Sequence, residues 1–192
     1  MQWQNLLWLA AAAIIAVAPT DATTLMRMSL DDLTISAGAV ARVRCVARES
    51  HWDRGEIWTF TRFAVVESWK GSLPSHVTIR LLGGHVGHLT SIVPGVPRFE
   101  PGDEAVLFLE TTRAGDFSVT GWAQGTFRIH HTDPRHELVT QQTATYASHG
   151  ASLHQGLDDG VDPGGIRNLP IEELHRRVIA AATKAIERGA KK

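Results

Sequence analysis

Between residues 39 and 129 the chain alternates apolar and polar positions with a period of two, and a helical period shows only before and well after that stretch. Ser29, followed three residues later by Asp32 and then by Leu33 and Ile35, predicts a capped short helix over residues 30–37 that Gly38 ends. Residues 39–50 place Ala41, Val43, Cys45 and Ala47 on one face and Arg42, Arg44 and Arg48 on the other, which predicts a strand with one wet side. Asp53-Arg54-Gly55 supplies turn chemistry, and the β-branched and aromatic run 56–69 predicts its hairpin partner. Residues 76–82 read as a third strand with Val77, Ile79 and Leu81 aligned. The nearly continuous apolar run 104–110 reads as a fourth strand buried on both faces. The turn 113–116 leads to a fifth strand at 117–122, continued by 126–129 beyond an interruption at Gly125.

Five mainly antiparallel strands with one long insertion predict a mainly β protein built on a small, five-stranded, partly open barrel. An immunoglobulin-like sandwich is the alternative, and it would need about seven strands. The insertion is the loop 83–101, rich in glycine and proline, and loops of that length in compact domains tend to be functional or wrapped over a core edge. Residues 130–168 turn polar and predict a loop-rich, loosely packed segment. Pro170, Glu172 and Glu173, followed by Leu174, Val178, Ala181 and Ala185, then predict a C-terminal amphipathic helix over 170–187.

The first residues change the picture of compartment. Residues 6–18 form a 13-residue apolar run, shorter than the roughly 20 needed to span a bilayer as a helix and matched to a signal-peptide core. The expectation is a signal peptide over residues 1–22, cleaved after Ala22, and a secreted or periplasmic protein with no membrane span after cleavage. The domain reading is therefore residues 23–129 for the barrel and its leading helix, 130–168 for the polar segment and 169–192 for the closing helix. One cysteine, Cys45, excludes an internal disulfide, so packing alone must hold the fold. With 19 Lys plus Arg against 20 Asp plus Glu, the 192-residue chain has no overall field to draw in nucleic acid, and none is expected as a partner.

Candidate chemistry is sparse. The chain lacks the H-E-x-x-H, G-x-S-x-G and S-x-x-K patterns, and its carboxylate pairs are neighbours in sequence at caps or turns. Ten histidines are present, and His85 and His88, three apart in the glycine loop, are the nominated metal ligands for zinc or copper. His130, His131 or His136 would have to supply the rest of such a site. Arg42, Arg44, Arg48, Arg62 and Arg80 could line an outer basic stripe, with Trp52 and Trp58 nearby, open to a polyanionic polysaccharide. The leading expectation is an exported, non-enzymatic binding module for a protein or polysaccharide, with loop 83–101 as contact surface. The alternative is a metal-binding protein or metal-dependent enzyme using the loop histidines.

The strand order, the segment Val66-Glu67-Ser68-Trp69-Lys70-Gly71, the glycine loop and the segment Phe99-Glu100-Pro101-Gly102-Asp103-Glu104-Ala105-Val106-Leu107-Phe108-Leu109 together resemble a known pattern. It is that of the netrin-like, tissue-inhibitor-of-metalloproteinases type of OB-fold. More closely still, the chain resembles uncharacterised exported bacterial proteins that share these motifs. The resemblance covers residues 30–129 and implies an OB-like barrel. Those inhibitors act through a cysteine at the mature N-terminus; the expected start here is Thr23-Thr24-Leu25, so their mechanism is not implied.

Overall fold

A computed structural model describes residues 27–113, 115–133, 136–142 and 165–189. The expected signal peptide and most of the polar segment lie outside them. Ser29 caps helix α1 (Leu30–Ser36) through a reciprocal box with Asp32. Two long strands follow, β1 (Ala39–Asp53) and β2 (Glu56–Lys70), joined at Arg54 and Gly55, both in the left-handed region, as a tight hairpin requires. Then come β3 (His76–Leu82), the small hairpin β4 (Gly84–Val86) and β5 (Leu89–Ser91), and β6 (Glu104–Thr111). The chain closes with β7 (Phe117–Val119), a 3-10 turn (Trp122–Gly125), β8 (Thr126–Asp133), β9 (His136–Gln141), β10 (Leu169–Pro170) and α2 (Ile171–Gly189).

The protein is mainly β, and β1, β2, β3, β7 and β6 pair in that order back to β1, a closed ring of five strands. All its seams are antiparallel except β3–β7, which is parallel. Three register shifts between β1 and β2 bend these long strands. Inside the ring, Ala41, Val43, Cys45, Phe63, Ile79, Leu107 and Leu109 form one core. Strand β6 turns its even positions outward: Val106 and Phe108 join Leu33, Trp69, Phe127, Val139, Leu174 and Val178 in a second core beneath the two helices. Burial of β6 on both faces is thus observed, and each large apolar side chain so buried contributes about 1.5–3 kcal/mol.

The Trp69-Lys70-Gly71 segment ties both helices to the ring. Trp69 stacks on His175 of α2 at 4.7 Å. The Lys70 ammonium donates to the Thr34 and Ala37 carbonyls at the end of α1, both at 2.5 Å, where the helix has no basic residue of its own. Gly71, at φ 71°, passes so near Gly38 that a Cβ would sit 2.7 Å from its carbonyl oxygen.

The fifth strand is interrupted at Gly121 and Trp122, both with positive φ, and resumes as β8: β7 and β8 run in the same direction along one edge of β6, opposite β1, as the continuation through 126–129 requires. One expectation needs correction. The segment from residue 130 opens with a hairpin rather than a loop, because Phe127, Ile129 and Val139 are buried in the second core while their polar neighbours stay outside.

Candidate functional site

At one end the ring interior changes from apolar to polar. Along β2 the inward positions run from Phe63 to Thr61 and Thr59, and β1 sets Ser50 opposite Thr59. Between Cys45 and Ala47 the register skips Val46, a bulge that reverses which face the following residues present. Arg48, expected on the outer stripe, therefore pairs with Thr61 and lines the interior mouth.

Loop 83–101 walls this mouth into a cleft of about 380 Å³, lined by Arg48, Ser50, Thr59, Thr61, His85 and Arg98 among others. Phe99 forms part of its wall, packed edge-on against Phe63 at 4.9 Å. Ser50 Oγ lies 2.8 Å from Thr59 Oγ1, which donates to the Gly83 carbonyl at 2.6 Å. Gly84, at φ 144°, rests directly on these hydroxyls, and a Cβ there would lie 2.5 Å from Ser50 Oγ and closer still to Thr59 Oγ1. Thr61 is only 1 % exposed, and its Oγ1 has no hydrogen-bond partner. A buried hydroxyl without a partner costs on the order of 1–3 kcal/mol, which a ligand supplying a polar atom would recover. At the rim Arg48 pairs with Glu100 at 2.9 Å, and Arg98 donates to the Ser91 carbonyl at 3.2 Å. The hydroxyl chain ends on the Gly83 carbonyl oxygen, an acceptor that takes no proton, so this chain holds no base to activate a nucleophile.

His85 and His88 are both exposed on the β4–β5 hairpin; His85 Nδ1 lies 2.9 Å from Thr90 Oγ1. Neither His130, His131 nor His136 joins them in a three-ligand group. Among the described residues, three candidate ligands gather elsewhere: Glu104, His131 and Glu137, with ligand atoms within 4.8 Å of one another. Arg42 already occupies that space, donating to Glu137 at 2.7 and 2.8 Å and to Glu104 at 2.9 Å, and Arg44 adds a 2.5 Å contact to Glu104. Burial works to raise the Glu104 carboxyl, but the guanidiniums of Arg42 and Arg44 outweigh it and hold it below the usual carboxylate range. The group is an ion-pair network joining β1, β6 and β9. The sequence concealed it because Glu137 and His131 fell in a segment read as loop.

The outer stripe is largely neutralised: Arg42, Arg44 and Arg80 each hold a carboxylate, as Arg48 does at the mouth. Cys45 is buried, and burial, with the charge of Asp103, pushes its thiol up, away from nucleophilic use. No helix among the described residues is long and apolar enough to cross a membrane. The chain matches no protein-family model, and no curated protein is similar to it.

Proposed function

We propose that this protein is an exported, non-enzymatic binding module on an OB-like, netrin-like barrel, with loop 83–101 and the ring mouth behind it as the contact surface. The strand order, with its one parallel seam between β3 and β7, supports the OB-like reading. The apolar run at residues 6–18 supports export to the periplasm or medium. One observation carries the binding role: the loop encloses a polar cleft over the buried, unpartnered hydroxyl of Thr61. The ligand is a protein or polysaccharide of the exported compartment.

The test is capture from the exported fraction by the native chain and by a variant whose β4–β5 hairpin is replaced with a tight turn. Material retained by the native chain should be lost by the shortened one, with both proteins melting cooperatively. Equal capture by the two would remove the loop from the function, and recovery of the natural protein only from cytoplasm with Met1 attached would overturn export.

A further inference from the structure

A second cleft, of about 360 Å³, lies on the other side of the same loop, between β2, β3 and the β6–β7 turn. Its walls include Trp58, Arg80, Leu82, Val96, Arg113 and Trp122, and among the described residues no carboxylate lines it. Trp122 is the unusual member. Its backbone is left-handed, at φ 54°, a strained conformation that bulky side chains rarely adopt. The strain does not serve to bury the indole, which stays 38 % exposed.

The surrounding turn is built to hold this conformation. Gly121 precedes it at φ 63°, and Gly125 packs so tightly on the Thr120 carbonyl that a Cβ would overlap it. The Ala123 amide donates to the Gly95 carbonyl at 2.9 Å, and Thr126 Oγ1 donates to the Trp122 carbonyl at 3.1 Å. The result is a rigid, half-open aromatic face at a cleft.

The polar groups in that cleft need acceptors. Arg80 stacks over Trp58, 3.9 Å from its ring centre, and one end of its guanidinium is held by Asp53 at 2.5 Å. Its Nε is buried with no partner. Arg113 is exposed and makes no ion pair among the described residues. The site thus offers an aromatic platform, one orphan donor and one open cation.

We infer that this cleft binds an acidic polysaccharide: the Trp122 indole takes the apolar face of a carboxylated pyranose, and the carboxylate and ring hydroxyls reach Arg113 and Arg80 Nε. A C–H-rich sugar face suits an indole, and a carboxylate suits a guanidinium. A nucleic acid strand would need a cation for most of its phosphates, and most arginines of the outer stripe are already spent on acids in a chain of net charge -1. The inference goes beyond the loop site, since the hairpin removed in the test above contributes nothing to this wall.

Affinity electrophoresis of the full chain in gels containing polygalacturonate, dextran or single-stranded DNA tests it. Polygalacturonate should retard the native protein and dextran should not. Trp122→Ala should weaken binding about tenfold, the loss expected of an aromatic anchor, and Trp122→Gly, which alone also relieves the left-handed strain, should weaken it equally with no fall in melting temperature. Arg113→Gln, an exposed change that leaves the fold alone, should weaken binding and flatten its salt dependence. Migration unaffected by polygalacturonate, equal retardation by dextran, native-like binding by Trp122→Ala, or stronger retention by DNA would each overturn the assignment.

Discussion

Glu104 shows how one side chain can set the acid tolerance of the fold. Its carboxylate is 8 % exposed and holds Arg42 and Arg44, which keep its pKa low in the folded state. A group whose folded pKa is depressed contributes stability above its unfolded value, near 4.3, and loses it as pH falls through the folded value. The native protein should therefore weaken below about pH 4.3 in melts, and Glu104→Gln should lose stability at pH 7 while flattening that acid limb. We expect a loss of about 1 kcal/mol, since Arg44 is more than half exposed and solvent screens its share. An unchanged acid limb would show that other carboxylates govern it. At this scale the sequence spoke clearly where parity held. Val43 and Cys45 are buried as their alternation requires, whereas Arg48 was misread because nothing in Val46-Ala47 announces a bulge.

Among the elements, α1 is the one whose stability comes from outside itself. It has seven residues, too few to persist alone, and its C-terminal carbonyls are capped by Lys70 from the end of β2. Lys70→Met keeps the aliphatic stem and removes the donor, and should cost about 1 kcal/mol, a fall in melting temperature of about 2–4 °C. No measurable change would mean that water replaces the ammonium. The motif behind the family resemblance thus has a structural use here, as does Pro101-Gly102-Asp103-Glu104, whose Gly102 amide and Asp103 carbonyl pair with the backbone of Cys45. The β1–β2 hairpin was legible because Asp53-Arg54-Gly55 names its turn, and β6 because its apolar run is unbroken. Of the β8–β9 hairpin only residues 126–129, which resume the fifth strand, were legible; β9 was not, because the burial of Val139 depends on a helix far along the chain. The mouth cleft was half legible: the loop stood out, but the hydroxyls behind it required the register.

For the whole molecule, two cores share the wall formed by β1 and β6, so loosening either helix should disturb the ring as well. The ring's seams are unequal. β1–β2, β2–β3, β6–β7 and β1–β6 are ladders, while β3 meets β7 through the single pair Ile79 and Phe117. Hydrogen exchange should accordingly find the amides around residues 78–80 and 117–119 opening before those of β1 and β6. Uniform protection around the ring would contradict this.

That thin seam resembles the clasp of a bracelet, and the aromatic cleft straddles it, with Arg80 on one side and Ser118 on the other. Whatever settles there grips both halves of the clasp at once. An occupant would then do more than occupy: it would fasten the circle, and the free protein would differ from the bound one chiefly in how often that circle comes undone.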